Sequence, residues 1–204
     1  MIMSEQQSTS VTNISRRTML KTLGLAGGFV VAVTLVPKGM RSLRARPTHD
    51  GLSPSIYLAI DEDGTVHAYI HRVEMGQGTR TGLTQILADE LEADWDRIHV
   101  VPTYGDVRFG SQNTDGSTSI RNFYDAFRQA GASARRMLEE AAATEWGVDR
   151  SQVEARNHEV YNAATGEALD YRELVEAAAS MDVPDPESLT LKTREEHRYI
   201  GHRS

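Results

Sequence analysis

Residues 73–82 read VEMGQGTRTG. Three glycines in ten residues, set between a β-branched run and a run with helical spacing, leave the chain few options. It must leave a strand, turn tightly and begin a helix. Glycine tolerates positive φ and lets other atoms come close to the backbone. The first N–H groups of the following helix have no intrahelical partner, so negative charge is favoured there. Gly76, Gly78 and Gly82 are spaced G-x-G-x-x-x-G, one residue longer than a dinucleotide fingerprint, and no G-K-[ST] follows. Neither nucleotide reading fits. Gln77 sits at the tip, where its amide can donate and accept without charge. That suits an oxo or carbonyl oxygen better than a cation.

The surrounding sequence supplies the frame. SIYLAI (55–60) reads as a strand, DEDG (61–64) as a tight turn and TVHAYIHRV (65–73) as the return strand. Leu83, Ile86, Leu87 and Leu91 fall at helical spacing over 79–93. RIHVVP (97–102) is a short strand, and 103–119 a polar loop. The longest helix spans 120–146, with Ile120, Phe123, Phe127, Ala130, Ala134, Met137 or Leu138, and Ala141 as its buried stripe. Ala130, Gly131 and Ala134 allow another element to approach closely, and Gly147 stops the helix. Short strands follow at 152–156, 159–162 and 167–169. Asp170 caps a last helix over 171–179, with Glu173 at the capping-box position. The expected fold class is α+β, or mixed α/β layers. The expected organisation is a linker at 38–54, an α+β domain at 55–182 and a tail at 183–204.

The second loop, GSQNTDGSTSI (110–120), repeats the chemistry of the first. It carries hydroxyls and a glycine ahead of a helix, and one of Ser117 to Ser119 is the expected N-cap. A helix cap with a polar loop would account for this loop alone. Two such loops before two helices point to a shared anionic ligand. Other clusters are weaker. His67 and His71 share a strand face but lack a third ligand, so no metal site is expected. Asp89, Glu90, Glu92, Asp94 and Asp96 fit no calcium loop and read as a solvated acidic face. Arg135 and Arg136 read as the outer face of the long helix.

Charge is divided along the chain. Residues 1–48 hold seven basic residues against the single acid Glu5, although the whole chain carries 22 Lys/Arg and 29 Asp/Glu. The acidic remainder argues against a nucleic-acid partner. The basic front contains SRRTMLK (15–21) and then a short apolar stretch from Leu23 to Val36. Residues 1–37 therefore read as a twin-arginine export signal to the periplasm. No clean A-x-A site follows, which leaves an uncleaved anchor at the inner membrane as the alternative. That route carries folded proteins and so implies a bound cofactor. There is no cysteine, hence no disulfide and no iron–sulfur cluster on this chain.

VEMGQGTRTGLTQILADEL (73–91), GSQNTDGSTSIRNFYDAFRQAGASARRML (110–138) and EWGVDRSQVEARN (145–157) together resemble a known family. They are similar to the N-terminal part of a molybdenum hydroxylase large subunit of the isoquinoline 1-oxidoreductase beta-subunit type, within the xanthine dehydrogenase and aldehyde oxidase superfamily. The resemblance runs from about Ile56 to Ser204. It implies a molybdopterin-binding fold and a molybdenum–molybdopterin cofactor, often the cytosine dinucleotide form, held without protein ligands to the metal. Gln77 takes the role of the glutamine that hydrogen-bonds the metal's oxo group, with Gly76, Gly78 and Thr79 bringing the backbone close. Ser111, Gln112, Thr114, Gly116, Ser117, Thr118 and Ser119 take the pterin- and phosphate-lining role. The implied partners are the remaining large-subunit domains on a separate chain, a 2Fe-2S small subunit, in some systems cytochrome c, and a small-molecule substrate, an N-heteroaromatic or an aldehyde. The family's general base is a glutamate in a G-x-x-E-type motif near the end of a much longer chain. No such motif stands here, and the role does not pass to Glu74. The absent base leaves a second reading open, a non-catalytic, cofactor-free binding or assembly module.

Overall fold

The computed structural model describes residues 51–103 and 105–202. The export-signal reading lies outside the described residues, as does most of the stretch read as a linker.

Two sheets and three helices form the described fold. The first sheet has four strands in the order β1 (Gly51–Ser55), β2 (Leu58–Asp61), β3 (Val66–Ile70) and β4 (Ile98–Pro102). The expected strand 55–60 is in fact two. The chain pairs Leu52 with Ile60, reverses near Tyr57, and pairs Leu58 with Ala68. β1 therefore starts within the residues read as linker. Leu52, Leu58 and Ile60 are all buried, and each contributes about 1.5–3 kcal/mol on leaving water. β3 ends at Ile70, three residues short of the expected return strand.

β3 and β4 run parallel, from Val66 opposite Ile98 to Ile70 opposite Pro102. A parallel pair needs a crossover, which here is α1 (Thr79–Leu91). The loops leaving β3 and β4 consequently emerge from the same end of the sheet. Ligands of α/β proteins commonly bind at that end.

α2 (Thr118–Trp146) crosses α1 at a point set by Gly131. A Cβ there would lie 2.6 Å from the Leu87 carbonyl oxygen and 2.9 Å from the Glu90 Cβ. Phe127, Ala130, Ala134, Met137, Leu138 and Ala141 are buried as the stripe requires. Ile120, at its first turn, is exposed instead. The second sheet is the antiparallel β5 (Val153–Arg156), β6 (Glu159–Asn162) and β7 (Ala168–Asp170). Asp170 then caps α3 (Tyr171–Ala179). Its Oδ1 accepts the Arg172 N–H at 2.9 Å, and Glu173 Oε2 accepts the Asp170 N–H at 2.9 Å.

The acidic run read as a solvated face is divided: Asp96 is exposed and Asp94 partly so, whereas the first three members are not. Asp89 and Glu90 are fully buried and Glu92 nearly so. They bind the residues after α3, which carry their own unpaired backbone donors. Asp89 accepts the N–H groups of Arg198, Tyr199 and Ile200 at 2.6, 2.9 and 2.9 Å. Glu90 takes the Arg128 guanidinium at 2.7 Å, and Glu92 meets Lys192 and Arg198. Arg135 and Arg136 likewise donate to the Thr190 and Ser188 carbonyls at 2.7 and 3.0 Å, rather than facing water alone. The stretch read as an aperiodic tail, at least to Ile200, is thus fastened to the helices by main-chain hydrogen bonds. No described helix is long and apolar enough to cross a membrane.

Candidate functional site

The parallel pairing of β3 and β4 sets the glycine turn beside the hydroxyl-rich loop. The Val73 N–H donates to Thr114 Oγ1 at 2.9 Å, tying the two together. Gly76 and Gly78 both have positive φ, +96° and +81°, with open space where a Cβ would project. Gly82 serves differently. A Cβ there would stand 3.1 Å from Ile120 Cδ1, so glycine lets the two helix starts approach.

The two helix starts are unlike. Gly78 is the cap residue of α1 and offers no side chain. The chain supplies one from outside the helix. The Glu74 carboxylate accepts the N–H groups of Gly76 at 2.7 Å and Gly78 at 3.0 Å on Oε1, and that of Arg80 at 2.9 Å on Oε2. The Arg80 and Gly78 N–H groups hold the carboxyl below the usual carboxylate range. At α2 the cap residue is Ser117, in the left-handed region at φ +56°, with no side-chain cap bond. Thr118 donates from both its N–H and its hydroxyl to the Asp115 carbonyl.

Gln77 turns inward on its own loop. Its Oε1 accepts the Met75 N–H at 2.6 Å, and its Nε2 donates to the Val73 carbonyl at 2.9 Å and to Thr79 Oγ1 at 3.1 Å. A new acceptor would have to displace one of those bonds. Gln112 also works locally, accepting the Gly105 N–H and donating to the Asp106 carbonyl.

Between the loops lies an open cavity of about 370 Å³. Gln77, Thr79, Thr114, Gly116, Ser117 and Ser119 line it, and Met75, Asp115 and Ile120 complete the wall. Gly76, Gly78 and Thr118 do not line it. Ser111 and Gln112 stand apart from it. The lining holds hydroxyls, an amide and one carboxylate, and no Lys or Arg. Such a wall fits a hydrogen-bonding heterocycle near the uncapped α2 start better than a bare polyanion. Among the described residues no group of three or more His, Asp or Glu could hold a metal. His67 pairs with Asp61 at 2.7 Å rather than with His71.

Two residues ahead of the turn differ from the sequence reading, which took His71 only as a strand histidine and did not single out Arg72. His71 is fully buried among Tyr57, Phe109, Phe123 and Phe127, with no partner on either ring nitrogen. Burial and, secondarily, the Arg72 charge push its pKa down to about 4. Arg72 is 2% exposed, lies 4.6 Å over the Phe123 ring, and leaves Nε and Nη1 without partners. Glu74 had a legible signal, an acid two residues before the first glycine. The burial of His71 and Arg72 had none.

A family model described as "Molybdopterin cofactor-binding domain" matches residues 10–201. The chain is 32% identical over 179 residues to isoquinoline 1-oxidoreductase subunit beta of Brevundimonas diminuta, covering 84% of this chain and 22% of that protein. It is 33% identical over 162 residues to a membrane-bound aldehyde dehydrogenase of Gluconacetobacter polyoxogenes, whose name assigns it pyrroloquinoline quinone, covering 78% of this chain and 21% of that one. Among solved structures it is similar to quinoline 2-oxidoreductase from Pseudomonas putida 86, with a TM-score of 0.47 and 18% identity over 60% of this chain and 15% of that one. The chain thus spans about a fifth of the length of the curated relatives it matches. The chain belongs to the molybdopterin cofactor-binding domain family.

Proposed function

We propose that this chain forms one wall of the cofactor site of a molybdenum hydroxylase that oxidises N-heteroaromatics or aldehydes with water as the oxygen source. The observation that carries the reading is the shared cavity between the two loops, lined by Gln77, Thr114, Ser117 and Ser119. When bound, the cofactor supplies a redox-active molybdenum that accepts the substrate's electrons. This chain's part is to hold and orient. Thr114, Ser117 and Ser119 offer hydroxyls to the pterin, the α2 start offers uncapped amides, and Gln77 offers a neutral donor toward an oxygen. No residue of this chain is assigned as the base, because Glu74 is already engaged by three amides.

The wider proposal follows the resemblance. Further large-subunit domains complete the site, a 2Fe-2S small subunit takes the electrons, and cytochrome c is a candidate acceptor beyond it. The cofactor is taken to be the cytosine dinucleotide form, and residues 1–37 to direct periplasmic export by the twin-arginine route. Replacing Arg16 and Arg17 by Lys should block export of the folded chain. Normal export would refute the signal.

One observation favours a second reading, a cofactor-free binding or assembly module. Both donors of the Gln77 amide are engaged within the loop. Molybdenum and pterin content decide between the two, measured on chain purified from its own host without denaturant together with its co-purifying partners. Stoichiometric molybdenum with a larger partner chain supports the enzyme. Metal-free, partnerless protein supports the module.

A further inference from the structure

We propose that Glu74 is the built-in anion of the glycine turn, and that it closes the start of α1 to any external phosphate or carboxylate. Three backbone N–H groups converge on its carboxylate, from Gly76, Gly78 and Arg80, at 2.7 to 3.0 Å. Such a convergence at a helix start is what a bound anion ordinarily receives. Here the chain provides the anion itself. The cap residue Gly78 has no side chain to do so, and the Arg80 side chain adds positive charge beside the carboxylate. The Gln77 amide closes on Met75, Val73 and Thr79 in the same way. The turn therefore presents an already neutralised surface.

The consequence is a division of labour between the two helix starts. α1 offers a neutral face and rejects a second negative charge, because Glu74 holds its place and repels another anion. α2, whose cap residue makes no side-chain bond and whose first turn holds no acid, has no such built-in anion. The inference rests on the proposed function for what the turn faces in the assembled enzyme. Its own test needs no cofactor.

The full chain is titrated with inorganic phosphate while backbone amide resonances are followed. In the parent chain the amides of Gly76, Gly78 and Arg80 should not shift saturably. In Glu74→Ala they should do so, and their hydrogen exchange should speed up about tenfold or more, with the amides of Leu87 and Leu91 unchanged. Glu74→Gln retains one acceptor oxygen and should fall between, which guards against misfolding of the alanine variant. Saturable phosphate shifts at these amides in the parent chain would overturn the proposal. So would unchanged exchange together with no phosphate binding in both variants. Molybdenum content of the parent chain in its native complex judges the proposed function separately. Its absence would refute that reading and leave the phosphate result standing.

Discussion

Asp89 Oδ1 accepts the backbone N–H of Tyr199 at 2.9 Å, across 110 residues of chain. The same carboxylate takes the N–H groups of Arg198 and Ile200. A fully buried carboxylate that satisfies three part-buried amides is costly to lose, because each amide is left without a partner. Asp89→Ala should cost about 2–4 kcal/mol in urea unfolding. It should also expose residues 185–200 to limited proteolysis. A variant as stable and as protease-resistant as the parent would mean that the carboxylate does not hold this segment.

Gly131→Ala tests the crossing of α1 and α2. Alanine is the better helix former by about 1 kcal/mol. Its Cβ would nonetheless sit 2.6 Å from the Leu87 carbonyl, which is backbone and cannot step aside cheaply. Net destabilisation of about 1–3 kcal/mol should result, read as a lower thermal midpoint. A raised midpoint would show that the helices separate freely.

His71 makes a prediction about pH. Its pKa is lowered from 6.5 to about 4 in the fold, so the unfolded chain binds a proton that the folded chain refuses. The associated stability is fully present above pH 6.5 and is lost as pH falls toward 4. His71→Phe places a similar ring in the same aromatic surroundings and removes the titration. It should weaken the fall in urea midpoint between pH 7 and 4.5 while leaving the fold intact. An unaltered pH slope would argue that the folded ring is already accessible to protons. His158 adds to the slope in the parent, since burial also lowers its pKa to about 4. Its Nδ1 accepts the Asp94 N–H, a bond that protonation breaks.

Gln77→Ala separates local structure from chemistry. In the isolated chain it removes three loop hydrogen bonds at an exposed turn, so the loss in stability should stay near 1 kcal/mol. In the reconstituted enzyme turnover should fall. Unchanged turnover would sink the role given to this amide.

Most helices and turns could be read from local pattern. The Asp170 and Glu173 capping box, the stop at Gly147 and the small stripe around Gly131 each follow from chemistry within a few residues, and local hydrogen bonds leave local signatures. The division of 51–61 into two strands could not be read this way. The reversal near Tyr57 carries no glycine or Asn-Gly signal, and pairing across it depends on burying Leu52 and Leu58 together.

The sequence by itself determined that two glycine- and hydroxyl-rich loops each begin a helix, and that Gly76 and Gly78 occupy conformations other residues resist. It also marked the chemistry on offer, hydroxyls and a neutral amide. Only the tertiary structure decided that the loops share a wall, because that depends on β3 and β4 being parallel, a long-range pairing with no local mark. Only there does the acidic run of α1 become a buried anchor instead of a solvated face, since its amide partners lie about a hundred residues away. What the first loop holds was likewise settled in three dimensions. Glu74 meets the turn's own amides, because carboxylate and donors are parts of one short chain and meet at little entropic cost.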